Sequence, residues 1–137
     1  MSESIGGTLN SVTTQQQEPE PAIALVRLLQ QHRFDLSTEK HLQAEIEDVL
    51  LKAGITFERE KRLSAGDIPD FLVAGGVVVE CKIRDKSRKI EVFKQLQRYA
   101  QHPSVSAIVL ASNMAMGLPP DINGKPVYAA SLSRGWI

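Results

Sequence analysis

The chain has 137 residues, the length of one domain, and its 42% hydrophobic content is enough for a packed core. With 16 basic side chains against 16 acidic ones, it is not a strongly cationic protein that coats nucleic acid by net charge. A single cysteine excludes a disulfide framework and any multi-cysteine zinc site, and no apolar run approaches the ~18 residues of a membrane span.

Residues 1–21, MSESIGGTLNSVTTQQQEPEP, are polar and poor in large apolar side chains. Such a segment buries too little surface to offset its ordering entropy and reads as a flexible arm. It lacks the basic start and apolar stretch of a signal peptide, which fits a cytoplasmic protein of a bacterium, an archaeon or a phage. A single domain then spans residues 22–137. Residues 22–33, AIALVRLLQQHR, form a short helical pattern. A stronger helix covers 38–53, with Ser37 or Thr38 as N-cap and Gly54 past its end. The period then changes. Strands are expected at 56–61, 68–73 and 77–83, the last two joined as a hairpin by Ala74-Gly75-Gly76. Residues 88–101 form a helix and 106–111 a buried strand. The tail holds Pro119, Pro120, Gly124 and Pro126, and reads mostly as loop with a short strand at 127–130. The order helix, strand, strand, strand, helix, strand indicates an α/β domain with helices flanking a mixed central sheet.

Neutrality is an average. Acids outnumber bases between Met1 and Gly54, whereas Lys82, Arg84, Lys86, Arg88, Lys89, Lys94 and Arg98 are opposed only by Asp85 and Glu91. A solvated helix face and a phosphate-binding surface both fit this patch from charge alone.

Chemistry concentrates in IPDFLVAGGVVVECKI, residues 68–83. A charge inside an apolar strand costs several kcal/mol unless it is paired or metal-bound. Glu80 and Lys82 share one face of their strand, and Val79, Cys81 and Ile83 share the other. A three-residue loop at 74–76 sets Asp70 opposite Glu80, on its face; a two-residue loop would set it opposite Cys81. Opposed carboxylates repel, and a shared divalent cation would remove the repulsion. On the first strong helix, at about 100° per residue, Glu39 falls on the stripe of Leu42, Ile46, Val49, Leu50 and Ala53 with Gln43 at its edge. Glu39 is thus the helix acid expected to face the sheet; a first-turn glutamate favoured by the helix dipole is the alternative. On the second, Gln95 and Tyr99 lie on one strip bordering the apolar face, while Lys94 and Arg98 point outward. His32, His41 and His102 show no metal-ligand spacing and read as surface residues.

Pro69-Asp70, nine intervening residues, and Glu80-Cys81-Lys82 resemble the PD-(D/E)XK nuclease superfamily, which has the restriction-endonuclease-like fold. Gln95-Leu96-Gln97-Arg98-Tyr99 looks like the Q-x-x-x-Y motif of RecB-like nucleases. The Glu39-to-Gln43 spacing is similar to that of virus-type replication-repair nucleases, and small Holliday junction resolvases share the same core. The resemblance covers about residues 38–112. It implies that Asp70 and Glu80 bind Mg²⁺ or Mn²⁺, with the Cys81 backbone carbonyl as a further ligand and Glu39 completing the site directly or through a water. Lys82 would orient the attacking water, and Gln95 and Tyr99 would position the site. Arg84, Lys86, Arg88, Lys89, Lys94 and Arg98 would hold phosphates without reading sequence.

The function implied is a metal-dependent endonuclease hydrolysing DNA phosphodiesters in repair, recombination or defence, structure-specific or nonspecific, with no other small-molecule cofactor and no membrane partner. A homodimer is expected, since two strands need two sites. One alternative is the same fold as a non-catalytic nucleic-acid-binding or scaffold subunit. Another is a small α/β protein in which Lys82 pairs with Glu80 and Asp70.

Overall fold

In the computed structural model, residues 20–84 and 88–134 are described. The proposed arm therefore lies outside the described residues except for Glu20 and Pro21, as does Lys86. Pro21 opens the first helix, α1 (Pro21–Gln30), a position where its missing N–H has no intrahelical partner to lose. Ala22, Leu25 and Leu29 form its buried face. The helix stops short of residue 33, because Arg33–Phe34 form a short strand, β1, paired in parallel with Ser133–Arg134.

The second helix, α2 (Glu39–Lys52), is capped by Thr38, whose hydroxyl accepts from the His41 N–H at 3.0 Å. Leu42, Ile46 and Leu50, spaced four apart, are fully buried. Gly54, at φ +72°, turns the chain out, and Ile55 N donates back to the Leu50 carbonyl.

Three antiparallel strands follow: β2 (Phe57–Arg59), β3 (Phe71–Val73) and β4 (Val77–Lys82). The first two are shorter than the sequence suggests. Glu60 leaves the extended region at φ +50°, and Pro69 has no N–H to give a ladder. Asp70 thus sits one residue outside β3 rather than within it. The third helix, α3 (Lys89–Ala100), leads to β5 (Ala107–Ser112), which runs parallel to β4.

The tail contains the short strand expected at 127–130 and is otherwise more ordered than its prolines and glycines suggest. It forms β6 (Asp121–Ile122), β7 (Lys125–Ser131) and β8 (Ser133–Arg134), and β7 joins the main sheet in parallel beside β5. Pro126 reads as a breaker in sequence. It is tolerated here near the sheet margin, opposite Asp121 of the two-residue edge strand.

The result is an α/β fold with a mixed six-stranded sheet in the order β2-β3-β4-β5-β7-β6. On one face, α1 and α2 pack on Phe71, Val79, Cys81 and Val109; on the other, α3 packs on Val78, Ile108 and Leu110. Both faces of β4 and β5 are covered, so β5 and the Val77–Val79 start of β4 read as apolar runs, broken in β4 only by Glu80 and Lys82. Among the described residues no helix is long and apolar enough to cross a membrane.

Candidate active site

The pairs Val73–Val77, Leu72–Val78 and Phe71–Val79 fix the hairpin register, and the turn is the three-residue one. Gly75 and Gly76 have φ +93° and +87°. At Gly76 a Cβ would lie 2.5 Å from the Ser104 carbonyl oxygen, so glycine is required by space as well as by conformation. This register brings Asp70 opposite Glu80 where β3 ends.

The two acids are interlocked through the backbone. Asp70 N donates to Glu80 Oε1 at 3.2 Å, and Cys81 N donates to Asp70 Oδ2 at 2.7 Å. The Asp70 carboxylate thus replaces a ladder carbonyl as acceptor. Glu80 is only 3% exposed. Its Oε1 also accepts from Tyr99 Oη at 3.2 Å, and its Oε2 lies 3.4 Å from Lys82 Nζ. Gln95 Nε2 donates to Tyr99 Oη at 2.8 Å, so the Gln95–Tyr99 strip of α3 does reach the site. Tyr99 is fully buried rather than a border residue. Glu39 faces the sheet as the helix arithmetic requires, and its Oε2 accepts from Ile83 N at 3.2 Å. The Cys81 side chain packs in the apolar layer under α1 and α2, away from this group. Burial pushes its thiol well above the ordinary range.

The electrostatics follow from burial. Desolvation pushes the Glu80 carboxyl up to about 7; the Asp70 carboxylate adds to the rise and the Lys82 ammonium opposes it. Asp70 is raised as well, first by burial and further by Glu39, against the Cys81 N–H and the Lys82 charge. Tyr99 is pushed far up by burial and by Glu80, and stays a neutral donor.

Two further residues belong to the site. Gln43 Nε2 donates to Asp70 Oδ1 at 3.1 Å. Arg59 donates from Nη2 to Gln43 Oε1 at 3.2 Å, from Nη1 to Glu47 at 2.8 Å and from Nε to the Asp70 carbonyl at 3.2 Å. Its guanidinium also stacks 4.8 Å from the Phe71 ring centroid. Gln43 had a signal, its place at the edge of the α2 stripe. Arg59 had none, because only the β2–β3 pairing reveals its neighbour.

Of the basic residues, Arg84, Arg88, Lys89 and Lys94 are exposed. Arg98 is half-exposed but not free: its Nε donates to Asp67 Oδ1 at 3.0 Å. Asp67 also holds His102 Nε2 at 3.0 Å and Ser64 Oγ at 3.1 Å. His102 is therefore a half-buried partner of Asp67 rather than a plain surface residue.

The donor set suits a divalent ion in one respect and departs from expectation in another. Asp70 and Glu80 offer oxygens with lone pairs left over, next to more negative charge than Lys82 balances. Among the described residues, however, no group of three or more His, Cys, Asp and Glu side chains is gathered as a metal cage. Glu39 Oε2 is taken by the Ile83 N–H, while its carboxylate lies near enough to Asp70 to raise that carboxyl. Mg²⁺ binds through one or two carboxylates and keeps several waters, so the Asp70–Glu80 pair is sufficient in kind.

No family model, curated protein or solved structure matches the chain.

Proposed function

We propose that the chain is a metal-dependent nuclease of the PD-(D/E)XK type that hydrolyses DNA phosphodiester bonds. One observation carries the reading: two opposed carboxylates, half-buried Asp70 and buried Glu80, lie together, with Lys82 3.4 Å from the second and Arg59 reaching only the backbone carbonyl of the first. A structural ion pair needs one acid; the second acid is a charge that burial disfavours and a cation would compensate.

In this reading Asp70 and Glu80 hold Mg²⁺ or Mn²⁺, with the Cys81 backbone carbonyl available beside them. The ion would polarise the scissile phosphate and lower the pKa of a bound water. The Lys82 ammonium would hold the attacking water by hydrogen bonding and stabilise charge gathering on the phosphate. Tyr99 and Gln95 fix the Glu80 carboxylate, and Gln43 fixes that of Asp70. Glu39 braces the strand end through Ile83. The exposed cations Arg84, Arg88, Lys89 and Lys94 would engage phosphates.

A second reading has an observation in its favour. Among the described residues every buried polar side-chain atom has a hydrogen-bond partner, so the site is satisfied without a ligand. A scaffold or nucleic-acid-binding subunit with the same fold would look like this. Incubation with supercoiled, linear, single-stranded and four-way-junction DNA in Mg²⁺ or Mn²⁺ separates the two. The nuclease requires metal-dependent cleavage that disappears in Asp70→Ala and Lys82→Ala. Binding without cleavage, unchanged in these variants, supports the second reading.

A further inference from the structure

The carboxyl ends of β4 and β5 meet at one edge, with Lys82 paired to Ser112. Beyond them the two chains stay together. Arg84 N donates to Asn113 Oδ1 at 2.7 Å, and Met114 N donates to Ser112 Oγ at 2.9 Å. The segment continues into residues 116–119, which face the first turns of α3. Between them lies an open pocket of about 330 Å³ lined by Lys89, Ile90, Phe93, Met116, Leu118 and Pro119. Ile90 is 53% exposed, while Phe93, Met116 and Leu118 are half-buried and rest on the core beneath α3.

Two properties of this pocket point to one occupant. Its walls are apolar, with an aromatic ring and a thioether. Its rim is cationic: Lys89 lines it and forms no ion pair with another described residue, Arg88 precedes Lys89 and has only Glu91, at 4.0 Å between exposed side chains, and Arg84 is exposed where its backbone is tied to Asn113. Exposed cations beside an apolar slot complement a ligand that is anionic along its backbone and aromatic at its core. A base inside a duplex has both faces stacked and presents neither to a protein, whereas an unpaired base offers a π-face of any sequence.

We propose that the pocket between α3 and residues 116–119 receives an unpaired nucleobase, whose phosphates are held by Arg84, Arg88 and Lys89. The inference rests on the nuclease reading and narrows its substrate class to nucleic acid with a single-stranded or flipped-out nucleotide beside the cleavage point. Phe93 supplies the stacking surface, and Met116 and Leu118 close around the base edge.

The test is fluorescence anisotropy of the full chain with a labelled oligothymidine and with a blunt duplex of equal length, in EDTA. Phe93→Ala and Ile90→Ala are the variants; Ile90 is exposed, so its replacement spares the core if Phe93→Ala melts early. The inference expects each variant to weaken oligothymidine binding by about tenfold, with duplex binding within about twofold of the parent. An equal loss on both ligands, no change on either, or no oligothymidine binding by the parent overturns it. Cleavage of the same oligonucleotides in Mn²⁺, run in parallel, reports on the nuclease reading by itself. A parent that cuts while both variants bind normally refutes the pocket alone. A parent that never cuts while the variants lose single-strand binding refutes the nuclease alone.

Discussion

Gln43 donates its side-chain N–H to Asp70 Oδ1 at 3.1 Å, and it has no choice of orientation, because its Oε1 is occupied by Arg59 at 3.2 Å. The amide is polarised from one side by a guanidinium and aimed from the other at a half-buried acid. A helix residue and a strand residue from separate parts of the chain thereby hold the second oxygen of Asp70, whose first is already held within the hairpin by the Cys81 N–H at 2.7 Å.

Arg59→Ala is expected to destabilise the protein by about 1–3 kcal/mol in urea denaturation, because it leaves Glu47 and Gln43 short of a partner. Arg59→Lys should recover less than half of that, since one ammonium cannot serve Gln43, Glu47 and the Asp70 carbonyl together. Full recovery by lysine would show that only the charge matters.

Stability should fall as pH rises. The Glu80 carboxyl titrates at about 7 in the folded protein against an ordinary value of 4.5. The folded state therefore binds more protons than the unfolded chain between these values. Its favourable contribution is complete below pH 4.5 and is lost as pH rises through 7, by roughly 3 kcal/mol at most. Asp70 acts in the same sense. Asp67, whose carboxyl is lowered by His102, acts in the opposite sense and only at acid pH. Denaturation midpoints collected from pH 4.5 to 8 should show the decline, and Glu80→Gln should flatten most of it. A profile that rises over this range contradicts the burial argument.

If a divalent ion compensates this charge, Mn²⁺ should stabilise the protein at pH 8 and do little at pH 5, where the carboxyls hold protons. At a hundredfold excess over its dissociation constant the gain is about 3 kcal/mol, or several degrees in a melting experiment. Asp70→Ala should abolish the shift. Equal shifts in the parent and in Asp70→Ala would place the ion elsewhere.

The turn offers a check on register that is independent of function. Gly76→Ala combines φ +87° with a 2.5 Å approach to the Ser104 carbonyl, whereas Gly75→Ala meets nothing within 4 Å and suffers only from its φ of +93°. Both should destabilise, by about 1–3 kcal/mol for the backbone conformation, and Gly76→Ala by clearly more. Parity between the two in chemical denaturation would argue against this turn geometry.

What could be read from the sequence divides along physical lines. The facing of Asp70 and Glu80, the inward turn of Glu39 and the placing of the Cys81 side chain on the opposite, buried face of the sheet all follow from periods of 2 and 3.6 plus one turn length, which are local rules. The reach of Tyr99 to Glu80 and of Arg59 to Gln43 depends on how layers dock, and no spacing encodes it. In the tail the short strand expected at 127–130 is present, and what local signals hide is its extension back through Pro126 and its place in the main sheet. Pro120, Gly124 and Pro126 signal loops locally, yet Val127 to Ser131 gain a strand's hydrogen bonds from β5, a neighbour distant in sequence. The same non-local logic hides β1: Arg33–Phe34 has no strand signature, and only the arrival of Ser133–Arg134 makes it one.

That last pairing also has a mechanical meaning. β1 lies near the amino end of the described chain and β8 near its carboxyl end, and they run parallel. Tension applied to the two ends loads their hydrogen bonds in shear, all at once, instead of unzipping them in turn. Ser131 N, bonded to Gln30 Oε1 at 2.8 Å, and Tyr128 Oη, bonded to Glu20 Oε2 at 3.0 Å, lie on the same seam. Traction on either terminus must therefore break this seam before force reaches the strands that carry Asp70 and Glu80.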